Sequence, residues 1–194
     1  MSQAEEGSMV MAERIWPRSG ARREIVIGLA GIVLLGLAAQ VQIPLEPVPI
    51  TGQTFGVLLI GALLGARRGA LTVGGYVAAG VAGLPIFAGG AAGIGRLFGP
   101  TGGYLIGFIA AAWIVGWLSE RGWDRRLGTA AAAMLLGTTA IYIFGLAWLA
   151  VFVGWGQVIA LGLAPFVMGD LLKLALAALA LPGGWAVLGR APGG

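Results

Sequence analysis

The sequence contains neither cysteine nor histidine among its 194 residues. Those absences exclude disulfides, thiolate nucleophiles, thiolate–zinc sites and imidazole acid–base chemistry together. Serine is confined to Ser2, Ser8, Ser19 and Ser119, none of them in a Gly-x-Ser-x-Gly setting, so there is no serine-hydrolase elbow. Lys173 is the sole lysine and follows Leu172, whereas a phosphate-cradling P-loop needs a glycine before its lysine. ATP hydrolysis by that route is excluded. Gly93-Ile94-Gly95-Arg96 lacks the third glycine of a dinucleotide fingerprint, and no strand pattern precedes it. Charge is scarce too: 10% of residues carry it, against about 25% in soluble domains. That is too little to clothe a globular surface in water.

What is abundant is apolar, with 58% hydrophobic residues, 36 glycines and a mean hydropathy of +0.92. Lipid must be the solvent for much of such a chain, and glycine is common where membrane helices approach closely. The pI of about 10.3 raises nucleic acid as a partner, a question that the placement of the charges decides.

Residues 1–23 are polar and of mixed charge, including Glu5, Glu6, Glu13, Arg14, Arg18, Arg22 and Arg23, and read as a cytoplasmic tail without a fold. Arg22–Arg23 before an apolar run resembles a twin-arginine export signal. The later apolar spans make it the basic flank of a first membrane helix instead. Six spans are expected, at roughly 25–43, 52–66, 69–84, 103–119, 128–152 and 161–181. Three of these are at most 17 residues, about 26 Å at 1.5 Å per residue, against a hydrocarbon core of about 30 Å. Pro44, Pro47 and Pro49 end the first span, because proline lacks a donor and restricts its predecessor. Arg67–Arg68 divide the second from the third, Gly-rich chain with Pro85 and Pro100 fills 85–102, and the run Ser119–Arg126 divides the fourth from the fifth. The fold class is an all-α membrane protein whose bundle occupies 24–185, with 186–194 as a cytoplasmic C-terminal tail.

With the N-terminus inside, ten of the twelve basic residues fall on the cytoplasmic side, Arg96 alone falls outside and Lys173 lies within a span. The inverted topology reverses that ratio. An excess of Arg and Lys on the inner side is the signature of membrane orientation, so N-in/C-in is expected and the nucleic-acid reading is dropped.

Asp170 and Lys173 lie early in the last span, a few residues after Pro165, at i, i+3 on one helix face. An ionisable group at membrane depth costs at least about 2.5–3.5 kcal/mol on insertion scales, and such groups usually face a cavity. A carboxylate beside an ammonium suits a solute with both N–H donors and a carbonyl or carboxylate; the alternative is a self-satisfied ion pair that fixes packing. Thr51 and Gln53 open the second span, where an amide either reads a ligand or bridges helices. Phe87, Phe98 and Tyr104 flank the outer Gly-rich loop and are candidate pocket walls. Tyr142, Phe144 and Trp148 read as interface anchors. Small-x-x-x-small pairs such as Gly61/Gly65 and Gly65/Gly69 are expected from composition alone.

Val48-Pro49-Ile50-Thr51-Gly52-Gln53-Thr54-Phe55, Gly83-Leu84-Pro85-Ile86-Phe87-Ala88-Gly89-Gly90, Gly99-Pro100-Thr101-Gly102-Gly103-Tyr104 and Pro165-Phe166-Val167-Met168-Gly169-Asp170-Leu171-Leu172-Lys173 together resemble BioY. This family comprises the biotin-binding S components of energy-coupling factor (ECF) transporters, and the resemblance spans roughly 25–185. It implies a six-helix S component in the cell membrane that captures biotin from outside, without a cofactor of its own. Asp170 and Lys173 match the family's Gly-Asp-x-x-Lys contacts, and 44–51 matches the loop that closes over the site. Thr51, Gln53, Phe87, Gly89, Tyr104 and Phe166 complete the candidate ligand-binding set. The partners implied are biotin, membrane lipid, a membrane coupling subunit and two ATPase subunits, which accords with the missing P-loop. Two departures stand out: Met168 replaces the family's frequent proline, and the first helix lacks an Ala-x-x-x-Ala docking pair. A self-sufficient secondary carrier or channel is the alternative; no internal repeat supports it.

Overall fold

The computed structural model of the protein describes residues 10–16 and 20–190. Of the two tails, 1–9 (with Glu5 and Glu6), 17–19 (with Arg18) and 191–194 lie outside the described residues. The chain is mostly helical. Helix α1, Met11–Ile15, is followed by α2, Ala21–Gln40. The short strands β1, Gln42–Ile43, and β2, Ile50–Thr51, pair antiparallel in the register Gln42↔Thr51 and Ile43↔Ile50. Next come α3, Gln53–Leu64, α4, Ala66–Val81, and the short helix α5, Gly95–Phe98. The rest is α6, Gly102–Ser119, α7, Leu127–Val153, α8, Val158–Gly162, and α9, Val167–Arg190.

Four helices among the described residues are long and apolar enough to cross a membrane: α2, α6, α7 and α9, the last over Val167–Val187. This is the pattern of a multi-pass membrane protein. The two remaining expected spans correspond to α3, of 12 residues, and α4, of 16. At 1.5 Å per residue α3 reaches only about 18 Å. Helix α6 sits at the centre, packed on α3, α4 and α7, while α9 lies against α7 and α3, and α2 against α4 and α3. Tyr76, Leu35, Met134, Ile141 and Leu149 are among the largest wholly buried side chains.

Several expected boundaries move, each for a local reason. The break between α3 and α4 falls at Gly65, whose φ of +84° suits glycine, so Arg67 and Arg68 belong to the first turn of α4. A Cβ on Gly116 would lie 2.3 Å from the Gly65 carbonyl carbon, so α6 presses directly on this junction. Glu120 Oε1 accepts the Ala66 N–H at 2.8 Å, which satisfies a donor that the new helix start leaves open. The expected span 161–181 is divided: α8 stops at Gly162, a turn carries Pro165, and α9 starts only at Val167. Proline both lacks the N–H and disfavours helix in the residue before it. At the other end α9 continues through Pro182 to Arg190. Its last turns are held from outside, with Trp185 Nε1 donating to Asp124 Oδ2 at 2.6 Å and Gly184 against the Met11 side chain.

Part of the N-terminal tail is ordered as well. Arg68 bridges Glu13 at 2.7 Å and Glu24 at 2.8 Å, and Arg23 Nη2 donates to Ala12 O at 2.9 Å. These contacts join α1, the start of α2 and the start of α4 at one end of the bundle, and the Ala66–Glu120 bond adds the end of α6. The Pro-rich loop 44–49, the Gly-rich loop 83–101 and the α7–α9 connection gather at the other.

Candidate functional site

A cleft lies at that second end, with about 680 Å³ of empty space that includes the solvent at its open mouth. The β1–β2 hairpin carries Val48, Pro49 and Thr51 over one side, and α3 begins directly behind it with Gln53 and Thr54. Phe87, Ala88 and Arg96 come from the outer loop, Tyr104, Leu105 and Phe108 from α6, Ile141 and Tyr142 from α7, and Lys173 from α9. Phe166, from the turn before α9, completes the apolar wall.

Polar groups concentrate where α3, α7 and α9 meet. Lys173 Nζ donates to Asp170 Oδ1 at 3.0 Å, to the Thr51 carbonyl at 2.7 Å and to Thr54 Oγ1 at 3.0 Å. Asp170 Oδ1 also accepts from the Thr54 hydroxyl at 3.3 Å, and its Oδ2 accepts from the Tyr142 hydroxyl. The carboxylate and ammonium thereby offset each other's desolvation with hydrogen bonds, the condition under which a buried ion pair is tolerated. The exposed Arg96 lies at the rim, where a guanidinium can pair with the anionic end of a solute.

The opposite wall is set by aromatic packing. Gln53 Nε2 donates to the Tyr76 hydroxyl at 2.8 Å, and that hydroxyl donates to the Ile86 carbonyl at 2.9 Å. Phe87 meets the Tyr76 ring edge-on at 5.6 Å and fills a notch over Gly80, where a Cβ would stand 2.2 Å from the ring. Gln40, at the end of α2, donates to the Phe87 carbonyl at 3.2 Å and accepts the Gly90 N–H at 3.1 Å. The outer loop is therefore stapled to α2, α3 and α4 together. Tyr104 donates to Gly162 O at 2.8 Å and meets Tyr142 edge-on at 6.4 Å. Trp148 Nε1 donates to Gly99 O at 3.0 Å, which ties α7 to the loop.

Thr51, Gln53, Phe87, Tyr104, Phe166 and Lys173 from the candidate set line the cavity. Asp170 stands behind the lining, bonded to three residues that form it. Gly89 is outside the lining, at a φ of +69° that turns the loop beside Gln42. Tyr142, Thr54 and Arg96 line the cavity, although the candidate ligand-binding set from the sequence does not include them. Tyr142 reads as an interface anchor until the facing of α7 and α9 is known. Thr54 carries a sequence signal, being next to Gln53 in the same motif as Thr51. Arg96 registers in the sequence only as a topological charge. Among the described residues no group of three or more acidic, His or Cys side chains is arranged to hold a metal ion.

Comparison with known proteins bears on the family and the fold. The family model described as the BioY family matches residues 10–190. The "Probable biotin transporter BioY" of Pyrococcus horikoshii is 38% identical over 157 residues, covering 81% of this chain and 93% of that one. The "Biotin transporter BioY" of Thermotoga maritima is 42% identical over 153 residues, covering 77% and 89%. Among solved structures, the S-component for biotin from an ECF-type ABC transporter superposes with a TM-score of 0.72 at 23% identity, over 86% of this chain and 94% of that one.

Proposed function

The chain belongs to the BioY family, and from that premise we propose that it is the membrane subunit that binds biotin and mediates its uptake, a transport protein and not an enzyme. The observation that carries the reading is the cavity itself, apolar on most sides and polar at the α3–α7–α9 junction. Biotin has that division: a fused ring with a cyclic urea, a thioether edge and an aliphatic tail ending in a carboxylate. The urea has two N–H donors and a strongly accepting carbonyl, chemistry that the Asp170–Lys173–Thr54–Tyr142 cluster and the second amide hydrogen of Gln53 can meet. Phe87, Tyr104 and Phe166 supply apolar and aromatic surface for the ring and tail, and Arg96 at the mouth suits the carboxylate.

The orientation proposed is six membrane crossings with both termini inside, α3 and α4 being the two short ones. The bundle end bearing Arg67, Arg68, Arg121, Arg125 and Arg126 then faces the cytoplasm and the cavity faces outward. Lacking a P-loop, the chain draws transport energy from a separate coupling module of one membrane subunit and two ATPases. Biotin uptake by cells without a transporter of their own tests this. Uptake is expected when the chain is expressed with such a module; absence of uptake with the module present contradicts it. Strong uptake by vesicles holding this chain alone favours the carrier reading.

A further inference from the structure

Within the biotin reading, the polar cluster leaves open which atom meets the N–H of the urea. Lys173 has three ammonium hydrogens, and three oxygens already surround its Nζ: Thr51 O at 2.7 Å, Thr54 Oγ1 at 3.0 Å and Asp170 Oδ1 at 3.0 Å. An ammonium offers no acceptor in any case. Thr54 gives its proton to Asp170 and receives one from Lys173. The Gln53 carbonyl accepts from the Thr51 hydroxyl at 3.0 Å. Tyr104 directs its hydroxyl at Gly162 O, away from the cluster. Asp170, the strongest acceptor present, is absent from the cavity lining and has both oxygens engaged.

Tyr104, like Tyr142, lines the cavity and gives its hydroxyl hydrogen to an acceptor elsewhere, but of the two it is Tyr142 that gives it to the carboxylate of the cluster. It lines the cavity, and its one hydroxyl hydrogen is directed at Asp170 Oδ2. That leaves lone pairs on the phenolic oxygen, with no donor to them among the described residues. A hydroxyl that donates to a carboxylate becomes a better acceptor, because linked hydrogen bonds polarise one another. The geometry points to Tyr142 as a specificity-determining residue that accepts a urea N–H of the ligand, with Asp170 the positioning residue that fixes its hydroxyl. The carboxylate then acts on the ligand through the phenol, and solutes whose ring lacks an N–H at that position are rejected. Removing such an N–H leaves a buried acceptor unpaired, the situation in which binding sites discriminate best.

The test is calorimetric titration of the full chain and of Tyr142→Phe, in lipid nanodiscs, with biotin and with two analogues methylated on one or other urea nitrogen. Phenylalanine keeps the ring, so a purely packing role for Tyr142 survives the change. Tyr142→Phe should bind biotin at least tenfold more weakly. For one of the two analogues, the penalty for methylation should be at least fivefold smaller in the variant than in the native chain. Tyr142→Leu, read in the same way, is the second variant if Tyr142→Phe does not fold. Biotin affinity within twofold of native, or equal methylation penalties in both proteins, overturns the assignment alone. Failure of the native chain to bind biotin overturns it together with the proposed function.

Discussion

Asp170 and Lys173 pair at 3.0 Å on one face of α9, and their hydrogen bonds offset the desolvation of both groups. Thr54 bonds to both and Tyr142 to Asp170, from different helices, so the pair also ties together α3, α7 and α9. Asp170→Ala removes three hydrogen bonds and leaves the Lys173 ammonium without its counter-ion. Biotin affinity should fall at least tenfold, or about 1.4 kcal/mol, read by titration of the purified variant. Arg96 belongs to a different part of the ligand. Arg96→Ala should weaken biotin several-fold while leaving biotin amide, which has no carboxylate, nearly unchanged. An equal loss for both compounds would remove Arg96 from the carboxylate role.

Elements are placed by backbone approach as much as by side chains. A Cβ on Gly61 would lie 2.6 Å from the Ala112 carbonyl oxygen of α6, and one on Gly69 would lie 3.0 Å from Gly61 Cα. The small residues that composition alone would supply are here used at two helix crossings. Gly61→Val should therefore lower stability by about 1–3 kcal/mol, as overpacking does, visible as a reduced thermal midpoint in detergent. The proline loop could be read in the sequence, because Pro44–Pro49 act on their immediate neighbours; Pro165 acts in the same way, yet the expected span ran from 161 through it and α9 starts only at Val167. The α3–α4 break could not: the doublet Arg67–Arg68 looked like a loop, but the turn depends on the positive φ of Gly65 and on Glu120 arriving from the far end of α6. The extension of α9 past Pro182 likewise depends on distant partners, Asp124 and Met11. In the site, Asp170 and Lys173 were legible because charge in an apolar run is conspicuous. Tyr142 was not, since its role follows from the facing of two helices and its residue type is common at membrane interfaces.

At the scale of the molecule, two ends with different chemistry define the account. Asp124, in the turn between α6 and α7, is wholly buried, and burial raises its pKa above the ordinary carboxylate value, with the Trp185 N–H opposing the shift. A raised native pKa means that the protonated form is favoured on folding. The corresponding stability is fully present below the unfolded pKa and is lost as pH rises through the native one. Asp124→Asn keeps an acceptor for Trp185 but cannot ionise. The stability of the variant relative to the native chain should therefore be greatest at neutral pH and shrink on acidification; parallel melting curves across pH would contradict this. Orientation is open to a second approach, since the chain has no native cysteine. Arg67→Cys should react with a membrane-impermeant thiol reagent only when the inner face is exposed, and Arg96→Cys from the outer face of intact cells.

These lines converge on a ligand held in the cavity without help from any ATPase. The most direct measurement is equilibrium titration of biotin into the purified, folded chain in detergent or nanodiscs, with no other subunit present. Saturable binding of one biotin per chain at or below micromolar concentration is the expected result, and no binding at micromolar biotin by demonstrably folded protein would contradict the account.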